Sequence, residues 1–312
     1  MGRCTEKLGH SSKNSWKLAV AYGKIAVEIL LSGGIAMKQY RLSDGTLVPA
    51  VGFGTYLAGE TAAALPLAME AGYRYFDTAA YYFNEELVGK TLKDSGLKRE
   101  EYQIASKVWH TELGYEKTTA SFLASLKRLD CGYLDVFLIH WPRTKGGPED
   151  WQTPLLGSWN ALIDLQKQGL VHSIGVSNFL PHHLKVLEET GVAPVLDQLE
   201  CHPGYLQRSA VDYCKQNGIL VQAWSPLGRA RVLQDPLLQE IARAHGVSTA
   251  RICLAYLLQK DLMVLPKASS KQRLEENLCR EELVLSSQEL KQIEAMPITG
   301  WSGENPDTSI PT

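Results

Sequence analysis

From Pro49 onward, short apolar runs alternate with longer segments whose apolar residues return every three or four positions, in a rhythm of roughly 20 to 40 residues that fits repeated βα units. The short runs predict eight strands: Val51–Phe53, Tyr73–Phe76, Tyr102–Ser106, Leu134–Ile139, His172–Val176, Val195–Leu199, Leu220–Ala223 and Met263–Leu265. Between them the helical spacing predicts Thr61–Ala71, Glu85–Ser95, Glu116–Leu129, Pro154–Gln168, Pro181–Thr190, Gln207–Asn217, Pro236–His245 and Lys271–Leu278. Several of these stop at a glycine suited to the left-handed position after a helix, Gly72 and Gly246 among them. Two extra helices are expected at Thr249–Gln259 and Ser287–Met296. No repeat, linker or low-complexity run divides the unit, so the expected fold is α/β, one (β/α)8 TIM barrel, with a doubly wound open sheet as the alternative.

The first 36 residues break this rhythm. Their apolar run Ile25–Leu31 is interrupted by Glu28 and is too short to span a bilayer. Met37 opens an N-terminal β-hairpin pattern, Lys38–Leu42 followed by Ser43-Asp44-Gly45-Thr46 and then Leu47 and Val48, with Asp44-Gly45 at the turn. Met37 is therefore read as the natural start, residues 1–36 as a non-native or disordered extension, and 37–312 as the single domain.

Composition changes little. With 312 residues, 45% hydrophobic, 21% charged and a net charge of -2, the chain lacks the basic excess that a nucleic-acid footprint wants. Its six cysteines are scattered, with no CxxC pair and no metal-ligand spacing, which suggests reduced thiols in a cytoplasmic protein and no metal.

The chemistry lies at strand ends. On a barrel these face the mouth where active sites are built, and here they deliver Asp77, Lys107 and His140, with Tyr82 just beyond Asp77. A lone Tyr82 or His140 would more often be a packing residue. Lys107 shifts that balance: its charge is expected to lower the Tyr82 pKa and make the phenol a usable proton donor, while Asp77 holds the ammonium and His140 orients a substrate oxygen. These roles deliver a proton to a carbonyl oxygen, so a nicotinamide should supply hydride. No GxGxxG is present, and the dinucleotide must be held otherwise. Ser177, Asn178 and Gln198 suit a carboxamide, Trp224 offers a stacking face, and Leu265–Asn277 is a helix start with two cations and hydroxyls that suits phosphate.

Asp77-Thr-Ala-Ala-Tyr-Tyr-Phe-Asn-Glu85, Leu138-Ile-His-Trp-Pro142, Gly175-Val-Ser-Asn178 and Pro266-Lys-Ala-Ser-Ser with Arg273 and Asn277 resemble the signatures of the aldo-keto reductase family, in the family's order. The resemblance runs from Met37 to about Pro297 and is greatest to the bacterial and plant branch of glyoxal and diketogluconate reductase type, which acts on small dicarbonyls, keto sugars and aldehydes. It implies a catalytic tetrad of Asp77, Tyr82, Lys107 and His140 and NADPH as cofactor. It also implies that Ser177, Asn178 and Gln198 hold the carboxamide, with Trp224, Ser225 and Leu227 against the cofactor. Lys267, Ser270 and Arg273 would take the 2′-phosphate, Glu276 and Asn277 the adenine, and Tyr56, Trp109 and Trp141 would join His140 in walling the substrate pocket. Ala268, Asp197 and Cys201 depart from the family's usual residues, and Gly228 to Pro236 is too short for a long loop over the pyrophosphate.

The expected activity is NADPH-dependent reduction of aldehydes and ketones by a monomer. The alternative is a non-catalytic nicotinamide-binding partner subunit. A metal-dependent barrel hydrolase would need His10, His140, His202 and Asp77 to gather, and no HxH motif supports it.

Overall fold

A computed structural model describes residues 26–32, 35–147 and 149–311. Its main sheet has eight parallel strands in sequential order: β4 (Phe53–Gly54), β5 (Tyr75–Asp77), β6 (Gln103–Val108), β7 (Leu134–Ile139), β8 (Val171–Ser177), β9 (Leu196–Glu200), β10 (Leu220–Trp224) and β11 (Met263–Val264). A parallel bridge from Val51 to Val264 joins the two edges and closes the ring. The helices between strands are α1 (Ala58–Ala71), α2 (Glu85–Asp94), α3 (Tyr115–Leu129), α4 (Gln152–Lys167), α5 (Pro181–Leu187), α6 (Arg208–Gln216) and α7 (Pro236–His245). Helices α8 (Thr249–Gln259), α9 (Lys271–Asn277) and α10 (Ser287–Glu294) complete the chain. The expected barrel and its two extra helices are therefore present, with boundaries shifted by a few residues. The largest internal change is in Pro181–Thr190, which stops as an α-helix at Leu187 and finishes as a 3₁₀ turn, Glu188–Thr190.

Strand parity decides what faces where, because successive side chains alternate between the two faces of a sheet. Phe76, Ile104, Phe137, Val176, Leu199 and Val221 pack outward against the helices. Tyr75, Ala105, Val136, Leu138, Leu196, Leu220 and Met263 fill the barrel interior. Each fully buried apolar side chain of this size contributes about 1.5 to 3 kcal/mol. Continuing the interior set toward the C-terminal ends gives Asp77, Lys107, His140, Ser177 and Gln198, so one parity rule carries five polar residues to the mouth. Gly175 sits on that interior set between β7 and β9. A Cβ there would come within 2.5 Å of Leu196 O, so the barrel closes at this height only around a glycine.

The other end of the barrel is plugged. Strands β2 (Ile35–Arg41) and β3 (Leu47–Pro49) form an antiparallel hairpin whose Tyr40, Leu42 and Val48 join the interior cluster. Lys38 Nζ donates to Leu258 O at 3.0 Å and Ser173 Oγ to Asp44 at 2.7 Å, tying the hairpin to the barrel floor. Its turn carries Gly45 at φ 92, a conformation in which a side chain would be strained. The hairpin begins at Ile35, ahead of the expected Lys38, and β1 (Ala26–Ser32) pairs antiparallel along β2 from Ala26↔Arg41 to Ser32↔Ile35. Regular pairing thus extends upstream of Met37. Residues 1–25, most of the expected extension, lie outside the described residues.

Candidate active site

Asp77 closes β5, and its backbone pairs with Ala105 on β6, which places Lys107 two residues farther along the same interior face. Lys107 Nζ donates to Asp77 Oδ1 at 2.7 Å and to Thr78 O at 2.8 Å, and lies 3.4 Å from Tyr82 Oη. The other carboxylate oxygen, Asp77 Oδ2, accepts from Gln198 Nε2 at 2.8 Å. Both members of the ion pair are buried, so each depends on the other to offset its desolvation.

Tyr82 reaches this pair on a 3₁₀ turn, Ala80–Tyr82, held from behind by a buried network. Asn84 Nδ2 donates to Thr55 O at 2.7 Å, Thr78 Oγ1 donates to Asn84 Oδ1 at 2.7 Å, and Thr55 Oγ1 donates to Asp77 O at 2.9 Å. The expectation that Lys107 lowers the Tyr82 pKa is corrected by the structure. Burial first, and the Asp77 carboxylate second, push the phenol well above its ordinary value. Lys107 is closer to Asp77 than to the phenol, so the carboxylate offsets its pull on the neutral hydroxyl, although the ammonium stays 3.4 Å from that oxygen. A raised pKa keeps Tyr82 protonated at neutral pH, which is the form a proton donor needs. His140 is held well below its ordinary pKa by burial and by Lys107, so its ring is neutral, and its Nδ1 is buried without a hydrogen-bond partner.

The residues expected to meet a carboxamide are already joined to one another. Asn178, left-handed at φ 62, donates to His140 O at 3.0 Å and to Ser177 Oγ at 3.1 Å, while its Oδ1 accepts from Trp224 Nε1 at 2.9 Å. Ser177 Oγ donates to Gln198 O at 2.9 Å. All four line one cavity of about 1020 Å³ that also contains Asp77, Tyr82, His140, Ser225, Leu227, Lys267, Arg273, Glu276 and Asn277. Ser270 does not line it. Its Oγ accepts from Arg273 Nε at 3.0 Å and so braces that guanidinium. Lys267 is tied to the β4–α1 loop instead of standing free.

Three expected wall residues surround Tyr82. Tyr56 meets its ring edge-on at 5.0 Å, Trp109 lies 4.9 Å from the His140 ring, and Trp141 is buried in the same cavity wall. Sequence reasoning missed Tyr81, which stacks on Trp109 at 3.8 Å, although it is the first tyrosine of the Tyr81-Tyr82 pair. It also missed Arg229 and Glu304, paired at 2.8 Å across the cavity, with the guanidinium 5.7 Å from the Trp224 ring. The left-handed Arg229 and Ala230 in the short segment after β10 aim that arginine inward. The C-terminal tail closes the rim: Ser302 Oγ donates to Glu200 at 2.7 Å and His110 Nε2 lies 3.0 Å from Pro311 O.

Among the described residues one trio, His182, His183 and Asp307, could converge on an ion. The Leu180 N–H donates to His183 Nδ1 at 3.1 Å, so the neutral ring carries its proton on Nε2, 3.1 Å from Asp307 Oδ1. That tautomer presents no ligand lone pair, and the trio clasps the tail to α5.

The mouth of a closed barrel thus gathers a buried Asp–Lys pair, a tyrosine and a neutral histidine around one point. The chain belongs to the aldo/keto reductase family, whose profile matches residues 50–297. It is 39% identical over 271 residues to a glyoxal reductase of Bacillus subtilis, covering 86% of this chain and 95% of that protein. It is 38% identical over 277 residues to the 9,11-endoperoxide prostaglandin H2 reductase of Trypanosoma cruzi, with the same coverage of 86% and 95%. Among solved structures, a mutant of Gox0644 in complex with NADPH superposes with a TM-score of 0.80 at 36% identity, covering 88% of this chain and 99% of that one.

Proposed function

We propose that the protein reduces small aldehydes, ketones and dicarbonyls with NADPH, using Asp77, Tyr82, Lys107 and His140. The observation that carries this is the Lys107 ammonium set between Asp77 and the Tyr82 hydroxyl, with Tyr82 in the lining of a cavity that also holds Arg273 and Lys267. Those residues fit a phosphorylated dinucleotide: the cavity is large enough, and its lining includes Trp224 and an exposed Arg273 whose donors exceed its bonds to Ser270 and Ser269. When bound, that cofactor supplies the hydride to the carbonyl carbon. Glyoxal reductase and methylglyoxal reductase names among the relatives support a small dicarbonyl as substrate.

The chain's own residues handle the oxygen. Neutral His140 hydrogen-bonds the carbonyl and sets its direction. Tyr82 gives its proton to that oxygen as negative charge develops; an alkoxide is far more basic than a phenolate, so the raised phenol pKa does not oppose the transfer. Lys107 stabilises the resulting phenolate, and Asp77 and Thr78 O keep the ammonium in place. The aromatic walls exclude water.

No described helix is long and apolar enough to cross a membrane. The five described cysteines are unpaired and four are buried, which supports a reducing, cytoplasmic setting. We keep a monomer as the expected state. Loss of NADPH absorbance with a panel of glyoxal, methylglyoxal, benzaldehyde and a keto sugar tests the activity. Normal cofactor binding without turnover of any of these would instead favour a binding subunit.

A further inference from the structure

Lys267 reaches back from the strand end after β11 to the β4–α1 loop. Its ammonium donates to Tyr56 O and, at 3.2 Å, to Leu57 O, and lies 3.3 Å from Glu60 Oε2. Two of the ammonium's three N–H donors thus go to loop carbonyls, and its charge is paired with the Glu60 carboxylate. The loop so held carries Tyr56 against Tyr82, and its backbone passes through Leu57 at φ 73, a left-handed conformation that a leucine keeps only when its surroundings impose it. Leu57 O is also the acceptor for the Glu60 and Thr61 N–H groups that start α1.

We propose that Lys267 is a positioning residue for the Tyr56 wall of the substrate pocket, and that a phosphate group bound beside Arg273 competes with the β4–α1 loop for the same ammonium. This rests on the reading of Lys267 and Arg273 as the 2′-phosphate site. With Lys267 bonded to two loop carbonyls and paired with Glu60, a phosphate beside Arg273 draws on an ammonium that the loop already shares, at the expense of Tyr56 O, Leu57 O or Glu60. The coupling is reciprocal: whatever strengthens the loop's hold on Lys267 weakens phosphate binding, and bound phosphate loosens the wall. Tyr56 would then adjust to substrate only once the phosphorylated cofactor is in place.

The test uses the full chain without cofactor, with adenosine 2′,5′-bisphosphate and 5′-AMP as probes. Amide hydrogen exchange at Glu60 and Thr61 should rise with the bisphosphate and stay unchanged with 5′-AMP. Lys267→Met should raise that exchange without any ligand and weaken the bisphosphate by about tenfold or more, as for a charge-assisted contact. Glu60→Gln removes one competitor from an exposed pair and should tighten bisphosphate binding by about threefold. If Lys267→Met weakens the bisphosphate but exchange does not change, and Glu60→Gln has no effect on affinity, the coupling is wrong and the phosphate site stands. Unchanged bisphosphate affinity in Lys267→Met would remove the phosphate site and the competition with it.

Discussion

The two ends of the cavity are built on opposite principles. At the Tyr82 end the charged pair is buried, the four residues of the proposed tetrad come from the loop and strand ends of β5, β6 and β7, and both Asp77 oxygens are hydrogen-bonded before any substrate arrives. At the Arg273 end the cations sit at the rim, Arg273 is exposed with donors to spare, and Lys267 is engaged by an exchangeable set of loop partners. On the proposed reading, one end is set in advance for a reaction that never varies, and the other receives a large charged ligand. Rigidity and adjustability are thus separated along a single cavity.

Lys107→Met should break this contrast most severely. It leaves Asp77 buried without its cation, which costs about 3 to 5 kcal/mol of stability, and removes the charge proposed to stabilise the Tyr82 phenolate. Chemical denaturation and turnover should both fall. Tyr82→Phe separates the two effects: turnover should drop by about 10² to 10⁴-fold while denaturation and NADPH affinity stay near the parent's, because the phenol contributes little to the fold. At the other end, Arg273→Ala should weaken NADPH by about 1.5 to 3 kcal/mol with NADH much less affected, measured by fluorescence titration. Equal losses for both cofactors would move the phosphate elsewhere.

Smaller effects sharpen the boundary between the ends. Trp109→Ala removes the ring beside His140 and the stacking partner of Tyr81, so KM should rise several-fold, by about 1 kcal/mol, for an aromatic aldehyde and much less for methylglyoxal. Asp197→Asn should change kcat least, because strand parity turns Asp197 outward beside Cys214 while Gln198 turns inward. Burial raises the Asp197 pKa to about 8. Its folded value lies above its unfolded value of about 3.9, so its contribution to stability is full below that value and is lost as pH rises to about 8. The asparagine variant should therefore gain Tm relative to the parent at pH 8 and show little difference near pH 4.

Most of the barrel was legible because parity and helical spacing are local properties: the eight strands and the interior positions of Asp77, Lys107, His140 and Gln198 follow from them. The 3₁₀ finish at Glu188–Thr190 and the start of the hairpin at Ile35 are decided by packing and cross-strand pairing, which single-chain periodicity does not carry. At the site, residue identities were readable and couplings were not. Lys107 beside a phenol suggests a lowered pKa until the competing contact with Asp77 is seen. Nothing in the spacing of Ser177, Asn178 and Trp224 says that they bond to each other. The Arg229–Glu304 pair joins positions 75 residues apart, across a turn that carries the left-handed conformation of Gly228 on through Arg229 and Ala230, residues that do not signal it.

The hairpin that plugs the barrel floor and the tail that borders its mouth put the two ends of the described chain on opposite poles of the molecule. For anyone fixing the enzyme to a support, that polarity dictates the chemistry of attachment. A surface bond made through the strand side, ahead of β2, would present the mouth to the bulk solution, whereas a tether after Pro311 would turn the entrance toward the resin and slow the traffic of reagents through it.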